Sequence, residues 1–273
     1  MHSPARPLLL VGGGKMGEAL LAGWLAQGLS HRAVLVVEPD ATRREALGRT
    51  HGVRVVAAMD ELLHTTVPGT LVLAVKPQVM AAALEACAGR VVPDTLVLSI
   101  AAGKPIAVFE RGLGDGLGVV RAMPNTPAAV GRGVTVLCAN AQATEAQREA
   151  AELLMAAVGA VHWVEDEELM HAVTAVSGSG PAYLFHLIEA LAAAGAQAGL
   201  PDALAMDLAR GTVVGAAELA RQSGASAAQL RADVTSPGGT TAAALQVLMA
   251  ADGLGGLLAR AVAAAAQRSR ELA

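Results

Sequence analysis

The sequence predicts an α/β fold with a doubly wound, mainly parallel sheet, followed by an all-α C-terminal region. Short apolar runs rich in β-branched residues alternate with helical segments up to about residue 165. Most of these runs are apolar at consecutive positions, which is typical of strands buried on both faces. Beyond that point the strand patterns stop. Because 273 residues suit two domains of ordinary size, we divide the chain into residues 1–165 and 166–273.

Predicted strands and crossover helices alternate in the first half, as a parallel sheet requires. The strands are predicted over residues 7–11, 33–38, 53–56, 70–75, 95–100, 118–121, 134–138 and 160–164. The helices are predicted over residues 16–28, 41–48 and 144–158.

The second half contains helical segments without a detectable repeat. They are predicted over residues 181–199, 201–222, 225–232, 241–251 and 253–272. Pro181 suits a first helical turn, and Gly199 before Leu200 and Pro201 suits a helix end. Since these helices are rich in small and aliphatic residues, we expect them to bury apolar faces against a second subunit.

Composition excludes several classes of partner. The net charge is −4 without a run of Lys or Arg, and only 2% of residues are aromatic, which argues against binding to nucleic acid. Although 53% of residues are hydrophobic, no uncharged stretch offers the ~20 apolar residues of a membrane span. With no secretory pattern at the start and two cysteines that we expect to be buried and reduced, a cytoplasmic protein is predicted.

A glycine-rich turn follows the first predicted strand. The segment from Gly12 to Gly17 matches G-x-G-x-x-G and opens a helix, which is the context of a dinucleotide-binding fingerprint. In this interpretation Gly12 makes the tight turn, Gly14 lets the backbone approach a pyrophosphate, and Gly17 lets helix and strand pack. Lys15 and Met16 begin the helix whose N–H groups would face that anion. Residues 1–165 are therefore predicted to be a Rossmann-type NAD(P)-binding domain.

An acidic residue stands where such domains bind the adenosine ribose. Glu38 ends the second predicted strand, about 20 residues after Gly17, and a carboxylate there grips the ribose diol and disfavours a 2′-phosphate. Arg43 and Arg44 follow shortly and could meet such a phosphate instead, although a solvated helix face explains them too. The sequence leaves NADH and NADPH both open.

Three further turns follow strand ends and are predicted to surround the nicotinamide, because ligands of open α/β sheets bind outside the carboxyl ends of the strands. Ordinary Pro/Gly loop chemistry is the alternative for each turn. The predicted contacts are Ala74, Val75, Lys76, Pro77, Ala101, Ala102, Gly103 and Asn125.

The most informative stretch of the helical half is Ser236-Pro-Gly-Gly-Thr-Thr241. Two glycines and two threonines at a helix start gather N–H donors and hydroxyls, which suits a carboxylate or another small anion. The alternative is simple N-capping by Ser236, Thr240 or Thr241. Glu167, Glu168 and His171 have a spacing that a metal site could use, but a third ligand is not apparent and an exposed acidic turn is favoured, so no metal is expected.

The segments VGGGKMGEALLAG, AVKPQ, SIAAG, RAMPNTPA, AVSGSGPAYLFHLIEAL and LRADVTSPGGTTAAALQVL together resemble pyrroline-5-carboxylate reductase, in order and from about residue 8 to 270. SGSGPAY and SPGGTT are far more specific than the glycine fingerprint. The resemblance implies the last step of proline biosynthesis, in which NAD(P)H reduces (S)-1-pyrroline-5-carboxylate to L-proline. It also implies intertwined dimers and larger rings of dimers.

The resemblance implies that residues 166–273 form a substrate-binding and dimerisation domain, and it assigns roles to individual residues. The SPGGTT turn would hold the substrate carboxylate with Ser236, Gly239, Thr240 and Thr241. Thr241 would lie beside the imine nitrogen of the substrate ring. Glu167 would face the same nitrogen from across the ring. Glu38-Pro39-Asp40 departs from the Ser, Asn or Arg that family members often carry there, which weakens the implied preference for NADPH.

Two other functions are weighed against this one. The β-hydroxyacid dehydrogenases have similar architecture but use a lysine on a helix of the α domain, whereas Lys15, Lys76 and Lys104 all lie in the first half. A non-catalytic NAD(P)-binding sensor would keep the glycine fingerprint but would have no need of SPGGTT. Reduction of an imine needs positioning more than an activated nucleophile, because the imine carbon is already electrophilic.

Overall fold

A computed structural model describes residues 2–273. The strands are β1 (Leu8–Val11), β2 (Val34–Val37), β3 (Arg54–Val56), β4 (Thr70–Leu73), β5 (Leu96–Ser99), β6 (Gly118–Met123), β7 (Gly133–Ala139) and β8 (Gly159–Trp163). The helices are α1 (Lys15–Ala26), α2 (Ala41–His51), α3 (Met80–Cys87), α4 (Ile106–Leu113), α5 (Glu145–Ala156), α6 (Leu169–Val173), α7 (Gly180–Gln197), α8 (Asp202–Gln222), α9 (Ala227–Asp233), α10 (Thr240–Leu248) and α11 (Leu254–Glu271).

The strands form one eight-stranded sheet in the order β3-β2-β1-β4-β5-β6-β7-β8. Strands β1 to β6 are mutually parallel, β7 is antiparallel to β6, and β8 is parallel to β7. The predicted fold class, a doubly wound and mainly parallel sheet, is confirmed. The order reverses at β1, which pairs with β2 on one side and β4 on the other. Ligands bind at such a switch point in open α/β sheets.

Both faces of the sheet are covered, and β1 shows why its sequence is continuously apolar. All four residues of β1 are buried. Leu8 and Leu10 belong to the apolar core on one face, and Leu9 and Val11 to the core on the other. This alternation follows from the two-residue period of a strand. Since either face is packed with apolar side chains, no polar position remains in the strand.

Helix ends follow the capping chemistry of the sequence. Thr144 and Gln147 form a reciprocal capping box at the start of α5, and Asp40 accepts a hydrogen bond from the N–H of Arg43 at the start of α2. Pro181 occupies the first turn of α7 as predicted. Helices α3 and α4 were not predicted from the sequence.

Contacts between Cα atoms divide the chain into two compact units. The first comprises the residues up to Gly178 together with Ala266–Ala273, and the second comprises Ser179–Ala265. This division lies beyond residue 165, because α6 contributes the fully buried Met170 to a core of the first unit. The second unit is entirely helical, and α7 and α8 pack closely within it. Assignment of residues 1–165 and 166–273 as functional domains stays a prediction.

Candidate functional site

The predicted dinucleotide contacts lie at one edge of the sheet. Strands β1, β2, β4, β5 and β6 run parallel, so the turns that follow their carboxyl ends share that edge. These turns carry the glycine-rich segment, Glu38, residues 74–77, residues 101–103 and Asn125. The topology thus brings together the residues that the sequence places on five separate turns.

The glycine-rich turn is shaped by close backbone approach. Gly12 has φ +102°, and a Cβ there would lie 2.7 Å from the carbonyl oxygen of Ala74, so only glycine fits without strain. A Cβ on Gly17 would collide with the carbonyl oxygen of Gly12. Gly14 differs, because it is the N-cap of α1 and the nearest atom to a Cβ there is Nη1 of Arg43 at 3.6 Å. The space above Gly14 can therefore admit a ligand.

Glu38 and Arg43 both bind the Gly13 peptide. The buried carboxylate of Glu38 accepts hydrogen bonds from the N–H of Gly13 at 2.8 Å and from the N–H of Asp40 at 3.0 Å. The guanidinium of Arg43 donates to the carbonyl oxygen of Gly13 at 2.9 Å. The guanidinium of Arg44 instead donates to the carbonyl oxygens of Glu38 and Pro39. Hence Glu38 braces the glycine-rich turn in addition to any contact with a ribose.

The turn after β4 is anchored by backbone pairing with β1. The N–H of Ala74 donates to the carbonyl oxygen of Val11 at 2.8 Å, which continues the β1–β4 pairing into the turn. Val75 and Pro77 are half-buried, and Lys76 is exposed. These positions leave the Lys76 ammonium accessible at the ligand edge.

Residues 101–103 lie against the C-terminal end of α11. Ala101 is buried and Ala102 is half-buried. A Cβ on Gly103 would lie 3.1 Å from Cβ of Leu272. The Lys104 ammonium donates to the carbonyl oxygen of Leu272 at 3.3 Å. The predicted nicotinamide turn is therefore packed against Leu272.

Asn125 does not present its amide to solvent. Its side chain is buried, its Oδ1 accepts a hydrogen bond from the N–H of Val134, and its Nδ2 donates to Ser177. Ser177 belongs to the π-helical turn Thr174–Gly178. The polar atoms of Asn125 thus serve contacts within the protein.

Glu167 forms an ion pair with a buried arginine. Its Oε1 accepts hydrogen bonds from Nη1 of Arg121 at 2.9 Å and from the N–H of Ile106 at 2.8 Å. The side chain of Arg121 is 3% exposed, whereas that of Glu167 is 31% exposed. Sequence reasoning missed Arg121, although a charge inside the apolar run of β6 indicates a buried partner.

The SPGGTT segment lies in the second unit. Helix α10 begins at Thr240, and its N-cap is Gly239, which offers no side chain for capping. The alternative interpretation, capping by Ser236, Thr240 or Thr241, is therefore wrong for this helix. Thr241 is half-buried, and Ser236 and Thr240 are exposed. Because the first N–H groups of a helix lack partners within it, this helix start can receive an anion.

The remaining candidates have structural roles. Nδ1 of His171 is 2.9 Å from the hydroxyl of Ser269, and both residues are buried. Residues 2–273 contain no group of three or more His, Cys, Asp or Glu placed to hold a metal ion.

Cys87 and Cys138 are buried and free, as expected. Burial raises the pKa of the Cys87 thiol to about 11, and burial, then the Glu167 carboxylate, raises the pKa of Cys138. Among residues 2–273, no helix is long and apolar enough to cross a membrane.

Two family models match the chain. Residues 167–272 match the family described as pyrroline-5-carboxylate reductase dimerisation. Residues 8–103 match the family described as NADP oxidoreductase, coenzyme F420-dependent.

Whole-length relatives carry the first of these names. The chain is 42% identical to the pyrroline-5-carboxylate reductase of Pseudomonas aeruginosa, over 97% of this chain and 96% of that protein. It is 44% identical to that of Synechocystis, over 96% and 97%. The solved pyrroline-5-carboxylate reductase of Coxiella burnetii superposes with a TM-score of 0.88 at 36% identity, over 98% of this chain and 99% of that one. The Plasmodium falciparum enzyme, solved with NADP bound, gives 0.82 at 28% identity, over 98% of each chain.

Proposed function

The chain belongs to the pyrroline-5-carboxylate reductase family, it reduces the C=N bond of 1-pyrroline-5-carboxylate to form L-proline with NAD(P)H, and we propose below which residues carry this reaction. The observation that supports the proposal most strongly is that one chain contains both a glycine-rich turn open at Gly14 and, in its second unit, an uncapped helix start at Gly239. The first suits a dinucleotide, and the second suits the carboxylate of the substrate.

The residues at the sheet edge fit a nicotinamide dinucleotide. Gly14 has space above it, and the N-terminus of α1 carries no side-chain cap, so its N–H groups can bind a pyrophosphate. We propose that Lys15, Met16 and the turns with residues 74–77 and 101–103 hold the rest of the cofactor. When bound, the cofactor supplies the hydride for the imine carbon.

We propose that the chain uses both NADH and NADPH. The carboxylates of Glu38 and Asp40 lie at the turn after β2, where they disfavour a 2′-phosphate. Arg43 and Arg44 bring two positive charges to the same turn and offset that repulsion. The balance between these charges sets the preference.

We propose that the start of α10 binds the substrate and that Thr241 is catalytic. The N–H groups and hydroxyls of Ser236, Gly239, Thr240 and Thr241 would bind the substrate carboxylate. The hydroxyl of Thr241 would donate a hydrogen bond to the ring nitrogen, which becomes an amine during the reaction and needs a positioned proton.

Glu167 is proposed to face the ring nitrogen as a negative charge. Its Oε1 is already bound to Arg121 and Ile106, and its side chain is 31% exposed. A carboxylate fixed in this way can stabilise the positive charge that the nitrogen gains as it takes up its proton, without itself transferring that proton.

The chain is a homo-oligomer, and we propose a dimer as the minimum and a ring of dimers as the full assembly. Large apolar side chains are exposed on the helices of the second unit, for example Phe185 and Val247 at 61% and 72%. Exposed apolar surface of this extent is typical of an interface. Sedimentation of an active monomer would contradict the proposal.

One assay tests the activity against both alternatives. Oxidation of NADH and NADPH is followed with 1-pyrroline-5-carboxylate and with a panel of 3-oxoacids. Turnover of the imine alone is expected. Turnover of 3-oxoacids would favour a β-hydroxyacid dehydrogenase, and cofactor binding without any turnover would favour a sensor. The absence of a lysine after Lys104 argues against the first alternative.

A further inference from the structure

We infer that Asn125, which sequence reasoning assigned to the cofactor, is a positioning residue that acts on the reaction through Ser177. The inference rests on the proposed function for the reaction that it affects. It starts from the buried amide of Asn125, whose two polar atoms contact Val134 and Ser177.

The contacts fix the orientation of the amide. A backbone N–H can only donate and a carbonyl can only accept, so Oδ1 must face the N–H of Val134, at 2.9 Å, and Nδ2 must face the carbonyl oxygen of Ser177, at 3.3 Å. The same Nδ2 donates to the hydroxyl oxygen of Ser177 at 3.2 Å. The Ser177 hydroxyl therefore receives a hydrogen bond and keeps its own hydrogen to donate elsewhere.

The side chain of Asn125 does not cap the 3₁₀ turn that follows it. It occupies the N-cap of the 3₁₀ turn Thr126–Val130, where asparagine usually binds an N–H of the first turn, yet it makes no such bond. Its side chain reaches instead to a residue 52 positions away. The Asn125 side chain therefore links its own turn to the segment that contains Ser177.

The segment that Asn125 holds is a π-helical turn, Thr174–Gly178. Such turns are rare and occur frequently at functional sites. Met123 also packs onto this turn, because a Cβ on Gly178 would collide with its Cε. Met123 and Asn125 therefore both contact the π-helical turn, one by packing and the other by hydrogen bonds.

The contact between Asn125 and Ser177 lies at the ligand edge of the sheet. Asn125 is the second residue after β6, which ends at Met123. The carboxyl ends of parallel strands in open sheets border the ligand. Hydride transfer depends on sub-ångström placement of the reacting atoms. We thus assign to Asn125 the placement of Ser177 and its turn at this edge.

Asn140 provides a matched control for the test. It is as buried as Asn125, at 9% exposure. Its amide makes four hydrogen bonds, with Oδ1 accepting from the N–H groups of Val119 and Ala143 and Nδ2 donating to the Glu110 carboxylate and the carbonyl oxygen of Leu117. However, it lies beside the start of β6, at the opposite edge of the sheet.

The experiment compares N125D and N140D in the full chain. Aspartate keeps the shape of the amide but places an acceptor where Nδ2 donated. Both variants are expected to lower Tm. N125D is also expected to lower kcat by about ten- to a hundredfold, since small misplacements of reacting groups cost that much, with the KM for cofactor changed less than kcat. N140D is expected to leave kcat within a factor of about two, as for substitutions that act on stability alone.

Ser177→Ala removes only the hydroxyl and keeps the test valid if N125D does not fold. It is expected to lower kcat by less than N125D, because S177A loses only the hydroxyl contact while N125D loses the carbonyl contact as well. The double variant is expected to lose no more than N125D alone, because the contact that S177A removes is already absent in N125D. Equal kcat values for N125D and N140D, or an S177A variant with the kcat of wild type, would overturn the inference alone. A wild-type protein that does not turn over the imine overturns the proposed function and the inference with it.

Discussion

Replacing Glu38 separates its contact with the glycine-rich turn from its effect on cofactor choice. The carboxylate accepts two backbone hydrogen bonds, from Gly13 at 2.8 Å and from Asp40 at 3.0 Å. Glutamine has one oxygen and one NH₂ group, so one backbone N–H must then face another donor. Serine reaches neither N–H. The two variants therefore remove one and two of these bonds.

The stability change follows from this count. Hydrogen bonds to a charged group contribute about 1.5–3 kcal/mol each, and Glu38 is buried, so E38Q is expected to lose roughly that amount of unfolding free energy and E38S more. Urea unfolding measures both. Because the turn at Gly13 loses its brace, E38S should also raise the KM for NADH and for NADPH.

The change in cofactor preference has a separate magnitude. A carboxylate about 5 Å from a 2′-phosphate of charge about −2 costs about 1.7 kcal/mol in a water-like medium, which corresponds to roughly 15-fold. E38Q is thus expected to raise the ratio of kcat/KM for NADPH to that for NADH by about this factor. The assay is the oxidation of each cofactor with saturating 1-pyrroline-5-carboxylate.

Glu45→Gln provides the control, because it removes the same charge from the exposed side of α2. It should change neither the ratio nor the stability appreciably. If E38Q leaves the ratio at the wild-type value while its stability falls, Glu38 only braces the turn, and the reasoning about the ribose is refuted. If both quantities stay unchanged, the brace is refuted as well.

Three other variants or measurements test the site. Gly14→Val should abolish cofactor binding in calorimetry while Tm stays normal, because a Cβ there meets only Arg43 at 3.6 Å; retained affinity would remove Gly14 from the site. Thr241→Val should lower kcat/KM by roughly 10- to 150-fold, the equivalent of about 1.5–3 kcal/mol, without loss of Tm, since the N-cap of α10 is Gly239; normal turnover would exclude a catalytic role. Burial raises the pKa of Cys87 to about 11, so a thiol reagent at pH 8 should label it only after unfolding, and rapid labelling of the native protein would contradict its burial.

The Cys87 pKa also fixes a sign for the dependence of stability on pH. The thiol titrates near 9 when unfolded and near 11 in the native protein. The unfolded chain therefore releases its proton first as pH rises, and the stabilisation from the neutral buried thiol is present below pH 9 and lost between these two values.

The sheet could be predicted because both of its faces are buried. A run such as Leu8–Val11 has only apolar residues, and its glycine-rich continuation adds a turn signal, so strand and turn are visible together. Helices α3 and α4 are each only eight residues long, and their N-cap residues, Val79 and Pro105, make no side-chain capping bond, so neither length nor capping marks them in the sequence. The antiparallel direction of β7 leaves no trace in its composition.

Long-range polar contacts were beyond sequence reasoning for a different reason. Arg121 and Glu167 are 46 positions apart, and no periodicity relates residues on a strand and before a helix. The sequence shows only that β6 contains a charge that cannot stay unpaired when buried. Which of the acidic residues pairs with it depends on the packing of α6 against the sheet.

The hardest segments to interpret from sequence were those whose residues bind each other. Ordinary loop chemistry was an open alternative for the turn after β6, because the partner of Asn125, Ser177, lies in a different segment. A Cβ on Gly178 would meet the Cε of Met123, a contact between segments that the sequence does not show. Glu38 shows the same limit in reverse, since spacing identifies it as a ribose contact but cannot reveal that its partner is the backbone of Gly13. In our proposal, residues of this kind serve the fold and the reaction through the same atoms, so a variant that keeps the shape and changes one hydrogen bond is needed to separate the two roles.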